Sequence, residues 1–320
     1  MNTLSSTIKP TAYEPAAQSK YVGSIMSYEE LYTSKTLRFL EAGDSHEPKY
    51  AILGVPYDGT STFRPGSRFA PNVIREASVN IETYSLRAGL DASKLAIKDV
   101  GNLNVAQDVC ETLRRLSVVL EEQLSKGLKT VIFGGEHTLT LGAVEAVSKR
   151  GEFTVICFDA HMDLRDEYLG SKINHATVMR RISEKLGVGR IIEIGVRAFS
   201  EEEVNYAKKS GLKFLTSLDV ARRFDRVLEE VEKWSRNAGR VYVTIDLDVL
   251  DPSQAPGVAN PEPEGLTMTQ LLDIIWAICN TEIVAADIVE LTPPYDDGIT
   301  AIQAAKIAAE ILCFIEAKNL

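Results

Sequence analysis

Cysteine, histidine and tryptophan are scarce in this chain: its 320 residues include four Cys, four His and two Trp. Cys110, Cys157, Cys279 and Cys313 lie far apart with no CxxC spacing, which argues against a zinc ribbon or a disulfide framework. They read as buried, reduced thiols, as expected of a cytoplasmic protein. The opening residues MNTLSSTIKPTAYEPAAQSKY lack the apolar core of a signal peptide. No apolar run reaches the roughly 18 residues a membrane span needs, so no membrane partner is expected. Lys/Arg-rich blocks are missing too. With 45 acidic against 35 basic residues and a net charge of −10, the chain lacks the footprint that phosphate backbones require, and nucleic acid is not an expected partner. The acidic balance suits a small cationic substrate, although most of those carboxylates serve to solvate the surface.

No Pro- or Gly-rich linker and no internal repeat divides the sequence, which favours one large domain. Composition supports a buried core, with 45% hydrophobic and 25% charged residues. Residues 1–48 are polar and mixed, and read as an arm or edge element with a short helix around residues 27–39. From Tyr50 onward, short β-branched runs alternate with amphipathic stretches. The strand candidates are 51–56, 130–134, 153–158, 190–196, 213–217, 241–247 and 282–290. Their near-continuous hydrophobicity suits strands covered on both faces. Helices are expected over 109–125, 139–149, 174–186, 223–236, 267–279 and 299–316. This is an α/β pattern, a three-layer α/β/α domain over 49–320 around a mainly parallel sheet. In such a fold ligands bind beyond the carboxyl ends of the strands.

Three of the four histidines sit at such ends. His137 follows the strand TVIFG, His161 follows FTVICF, and His175 opens a helix a few residues later. Asp159, His161 and Asp163 form a DxHxD segment whose alternate residues point one way if the chain is extended. Asp246 and Asp248 end the strand VYVTIDL in the same manner, with Asp251 just beyond. Buried carboxylates in such numbers need a compensating cation. Either motif alone could be a pair of helix caps or a surface turn. Together with His137 they make two imidazoles and four carboxylates, too many for one tetrahedral zinc, and an oxygen-rich set that favours Mn²⁺.

The segments GGEHTLTLG, FDAHMDLRD, TIDLDVLDPSQAPGVANPEPEGLT and DIVELTPPYD, in that order, resemble the successive signatures of the ureohydrolase family, which contains arginases and agmatinases. The upstream GVPYDGTSTFRPGSRFAPNVIREAS resembles the family's N-terminal region in its agmatinase form, and the likeness runs from Ala51 to the C-terminus. It implies an arginase-like fold with an eight-stranded sheet and two Mn²⁺ per subunit. One ion would be held by His137, Asp159, Asp163 and Asp246, the other by Asp159, His161, Asp246 and Asp248. A water between them would be the nucleophile, with Asp163 accepting its hydrogen bond. Glu290 would pair with the substrate guanidinium, and His175 would pass a proton to the leaving amine. The family also implies a homo-oligomer, a trimer or a hexamer.

Three positions depart from the family pattern: Glu136 stands where Asp is usual, Thr138 where Ser is common, and Ala70 where Gly often precedes Pro. The loop Leu164 to Asn174 does not resemble that of arginases. Its Asp166 and Glu167 suit the distal ammonium of agmatine, which would be cleaved to urea and putrescine; alternatively Arg165 and Asp166 pair structurally and Glu167 is solvated. N1-aminopropylagmatine, giving spermidine, is an alternative substrate, followed by arginine and guanidinobutyrate. Two other classes are a single-zinc deacetylase-type amidohydrolase and an inactive metal-stabilised scaffold. The first has no use for His137, Asp163 and Asp248 together. The second has none for His175 and Glu290.

Overall fold

Along each central strand the side chains alternate between two hydrophobic layers. Tyr50 and Ile52 join one core cluster while Ala51 and Leu53 join the other; Val131 and Phe133 oppose Ile132, and Ile156 and Phe158 oppose Val155 and Cys157. A sheet apolar on both faces must be covered on both, which gives three layers. The computed structural model describes residues 26–43 and 45–320. Its main sheet comprises β1 (Thr33–Ser34), β2 (Tyr50–Gly54), β3 (Ile97–Leu103), β4 (Lys129–Phe133), β5 (Thr154–Phe158), β6 (Ile191–Val196), β7 (Lys213–Thr216), β8 (Arg240–Asp246) and β9 (Glu282–Val289). Their order is β1-β3-β2-β4-β9-β8-β5-β6-β7. Eight strands are parallel; the ninth, β1, is a two-residue antiparallel addition at the edge.

Helices α2 (Ala70–Ser78), α7 (Ser217–Arg222), α8 (Phe224–Ala238), α9 (Met268–Ile278) and α10 (Ile299–Asn319) pack on one face. Helices α3 (Val109–Ser125), α4 (Thr140–Ser148), α5 (Val178–Leu186) and α6 (Glu201–Ser210) cover the other. Their starts follow side-chain chemistry: Asp108 caps α3, and Thr267 with Gln270 forms a capping box at α9. Among the described residues no helix is long and apolar enough to cross a membrane.

Several sequence expectations change here. The helix expected over 27–39 is only α1 (Tyr28–Tyr32), because Thr33 and Ser34 leave it to pair with Leu103 and Asn102 of β3. Of the arm expected over residues 1–48, residues 1–25 and 44 lie outside the described residues. Strand β3 escaped notice because Lys98, Asp99 and Asn102 interrupt its apolar pattern. Asp99 and Asn102 instead hold the fully buried Arg75 of α2, with Asp99 taking both Nε at 2.8 Å and Nη2 at 2.9 Å. Cys110, expected to be buried, is exposed in the first turn of α3; the other three thiols are buried.

Candidate metal centre

Four adjacent strands, β4, β9, β8 and β5, deliver the singled-out residues from their carboxyl ends. His137 lies beyond β4, Glu290 follows β9, Asp246 ends β8, and Asp159 follows β5. The His137 Nδ1 atom sits 3.0 Å from Asp159 Oδ2, 3.2 Å from Asp163 Oδ2 and 3.5 Å from Asp246 Oδ2. His161 Nδ1 lies 2.9 Å from Asp248 Oδ2 and 3.6 Å from Asp159 Oδ1. Asp159, His161 and Asp248 form one group able to hold a cation, and His137, Cys157 and Asp159 form another. Cys157, read from the sequence as an inert core thiol, is therefore a neighbour of the site.

Simple strand alternation does not aim these groups. Asp163 adopts a left-handed backbone, φ 50°, uncommon for any residue but Gly, Asn or Asp. The flanking peptides hold it there: Arg180 N–H donates to its carbonyl at 3.0 Å, and Leu164 N–H donates to Glu203 Oε1 at 3.1 Å. Asp248 sits in the turn Leu247–Val249, whose geometry Asp246 sets by accepting the Asp248 N–H at 2.9 Å. Glu290 is also left-handed, φ 65°. Its N–H donates to Gly135 O at 2.8 Å, and its Oε1 accepts the His137 N–H at 2.6 Å. A left-handed glutamate is strained, and at Glu290 that strain marks a constraint imposed by the site.

Charge is concentrated here with little internal compensation. Burial pushes Asp163 up to about 7, reinforced by Asp159. Asp246 and Glu290 are raised by burial and then by the neighbouring carboxylates Asp248 and Glu136 respectively. Burial would raise Asp159 as well, but His137 and His161 hold it below its ordinary value. Glu193 of β6 extends the buried acidic region, with neither oxygen hydrogen-bonded within the chain. Asp159 Oδ2, His137 Nδ1 and Glu290 Oε2 are likewise buried without hydrogen-bond partners. Orphaned donors of this type, facing one another, fit divalent cations. The opposite ring nitrogen of His137 is 3.0 Å from Thr244 Oγ1, a partner that leaves Nδ1 free to ligate.

A cavity of about 310 Å³ opens over this cluster, with Asp163, Asp246, Asp248, Glu290 and His175 toward it and Glu262, Asn260 and Phe199 among its other lining residues. Asp166 and Glu167 are not brought to it. Asp166 is taken by Arg181 at 2.7 Å and Lys172 at 3.3 Å, and Glu167 is exposed. Residues whose roles the sequence did not reveal include Thr60, Thr62, Thr244, Glu203 and Glu262. Arg197 is another: its guanidinium donates to the carbonyls of Asp248, Val249, Leu250, Glu262 and Pro263, fastening the loop that follows β8. An arginine directly after a strand was the available signal.

A family model described as the arginase family matches residues 48–313, and the chain belongs to that family: it is a ureohydrolase, a hydrolase with the arginase-like α/β fold. It is 38% identical to N(1)-aminopropylagmatine ureohydrolase of Thermococcus kodakarensis, over 87% of this chain and 95% of that protein. It is 36% identical to an agmatinase of Bacillus cereus, over 90% and 98% of the two chains. The crystal structure of agmatine ureohydrolase from Thermoplasma volcanium is similar with a TM-score of 0.82 and 36% identity, covering 90% of this chain and 97% of that one.

Proposed function

We propose that this ureohydrolase is an agmatinase with two Mn²⁺ per subunit, acting in the cytoplasm to convert agmatine to putrescine and urea. The observation that carries the substrate assignment is the polarity of the cavity. Its acidic lining comprises Asp163, Glu203, Asp246, Asp248, Glu262 and Glu290. Among the described residues its one lining arginine, Arg165, lies 3.8 Å from Glu203 and 5.1 Å over the Tyr168 ring. Arginine would bring an α-carboxylate into this acidic surrounding, whereas agmatine brings only an ammonium. With both rings neutral, two divalent cations offset the four aspartates Asp159, Asp163, Asp246 and Asp248, which leaves Glu290 for the guanidinium.

When bound, the two cations supply the Lewis acidity that ionises a water near neutral pH. His137, Asp159, Asp163 and Asp246 would hold one, and Asp159, His161, Asp246 and Asp248 the other. Glu290 Oε2 orients the guanidinium, since Oε1 is already committed to the His137 N–H. Asp163 accepts a hydrogen bond from the attacking water. His175 is 8% exposed, and burial, then His161, pulls it down to about 4, so its ring rests neutral; it can take the proton released by the attacking water and pass it to the departing amine as the C–N bond breaks.

The Thermococcus relative favours N1-aminopropylagmatine as a second reading. Urea release from Mn²⁺-loaded protein, with agmatine, aminopropylagmatine, arginine and guanidinobutyrate compared side by side, tests both. Agmatine should exceed arginine in kcat/KM by about 10²-fold or more. Equal values for the two would end the assignment.

A further inference from the structure

The cavity over the metal centre holds one acid that no step above uses. Asp163, Asp246 and Asp248 face the histidine rings, and Glu290 is assigned to the guanidinium. Glu203 is spent within the fold: its Oε2 accepts the Ser200 N–H at 2.8 Å and the Ser200 hydroxyl at 2.7 Å, while Oε1 accepts the Leu164 N–H. Glu262, half-buried in the same lining, is different. Among the described residues its carboxylate has no hydrogen-bond or ion-pair partner, and neither has the side-chain amide of Asn260 two residues earlier. The charge of Arg197 acts on Glu262, but the N–H groups of that guanidinium are directed at backbone carbonyls.

The loop carrying Asn260 and Glu262 is tied at both ends to the reaction centre. At one end Val258 pairs with Leu291, the residue after Glu290, and the Thr292 N–H donates to Gly257 O at 2.7 Å. At the other, Arg197 Nη2 donates both to Asp248 O at 2.6 Å and to Glu262 O at 2.9 Å, so these two carbonyls are neighbours. Residues 258–262 therefore run from beside Glu290 to beside a proposed metal ligand. Four residues can carry Glu262 no further than roughly 14 Å from Val258, a reach that brackets the four-methylene chain of agmatine. Ala198 and Phe199 in the lining offer apolar surface to those methylenes. We propose that Glu262, with the Asn260 amide oxygen beside it, receives the distal ammonium of agmatine and makes the enzyme selective for guanidines whose chain ends in a cation. The proposal rests on the agmatinase reading above and moves the ammonium site from Asp166 and Glu167 to the loop after β8.

The experiment compares agmatine with butylguanidine, which has the same guanidine and methylene chain but no ammonium, on full-length Mn²⁺-loaded protein. In wild type kcat/KM should be higher for agmatine. Glu262→Gln keeps the shape and removes the charge. It should lower the agmatine-to-butylguanidine ratio about 10- to 100-fold, the scale of one charge-assisted hydrogen-bonded pair, with the loss in the KM of agmatine rather than its kcat. Glu262→Lys turns attraction into repulsion and should lower the ratio further, bringing guanidinobutyrate, whose chain ends in a carboxylate, above agmatine. Because the same active molecules cleave every substrate, these ratios do not depend on how much of a variant folds. A wild-type preference for agmatine that survives both substitutions overturns the assignment to Glu262 and leaves the agmatinase reading standing. No preference for agmatine over butylguanidine in wild type overturns both.

Discussion

At their amino ends β4, β8 and β9 begin with Lys129, Arg240 and Glu282, and at their carboxyl ends the same strands lead into His137, Asp246 and Glu290. The amino-end charges are partly exposed and mutually paired: Glu282 meets both Lys129 and Arg240. The next strand repeats this arrangement, with Lys49 at 2.8 Å and Tyr50 at 2.6 Å from the carboxylate of Glu316. At the other end Asp159, Asp163, Asp246, Asp248 and Glu290, with Glu136 and Glu193 beside them, are buried against two imidazoles, and burial and mutual repulsion raise Asp163, Asp246 and Glu290 above the ordinary carboxylate range. One end of the sheet is electrostatically complete in water, and the other is complete only with cations from outside the chain.

Replacing a carboxylate at each end separates the two regimes, and the largest effect belongs to Asp246. Asp246→Asn should lower urea release by at least about 10³-fold, because a group shared by both proposed cations contributes several kcal/mol to the barrier. Its effect on stability should change sign with metal. In excess chelator the variant melts higher than wild type, since the cost of burying a carboxyl that burial, then Asp248 and Asp159, drive toward its protonated form is gone. With saturating Mn²⁺ it melts lower, since less binding energy is linked to folding. A lower melting temperature under both conditions would mean that the carboxyl end is self-sufficient after all.

How much of this contrast the sequence disclosed depends on distance along the chain. DxHxD and DxD could be read because their members lie within a few residues and histidine is rare. The left-handed turn at Asp163 could not, since Asp tolerates that conformation without requiring it, and its supports Glu203 and Arg180 come from two different helices. Thr60 meets Glu136 and His175 across 76 and 115 residues, and threonine is too common to announce such contacts. Asp166, expected to meet the substrate's distal ammonium, is engaged instead by Arg181, 15 residues on. The layered fold was legible from alternating apolar runs, whereas β3 was hidden by the polar side chains that fix Arg75.

Removing metal should also reverse the pH dependence of stability. In metal-free protein Asp163 is raised to about 7 from an ordinary value near ~4, so its protonated form favours folding and that advantage is lost as pH rises across this interval. His137 and His161 are raised too, although burial alone would lower them, because carboxylates face them. Their stabilisation is complete below about 6.5 and disappears above it. Asp159, held low, acts only at more acidic pH. The unfolding free energy with chelator should therefore fall from pH 5 to pH 8, by about 1.4 kcal/mol for each unit of pKa difference that the interval spans. With Mn²⁺ it should rise over the same range, because cations bind the deprotonated ligands. A flat profile in both cases would contradict the charge imbalance.

The smallest effect is expected at the amino ends. Lys129→Ala removes a partly exposed ammonium from Glu282, but Arg240 still lies 3.6 Å from that carboxylate and water reaches the rest. Exposed pairs of this kind contribute about 0–1 kcal/mol and weaken with salt. The variant should unfold within ~1 kcal/mol of wild type, keep its kcat and KM, and show the same Mn²⁺ requirement. Because β4 joins Lys129 to the segment bearing His137, a loss of activity here would show that ion pairing at one end of a strand sets side-chain geometry at the other. A parallel strand pinned by its neighbours along its full register has no freedom to transmit such a shift.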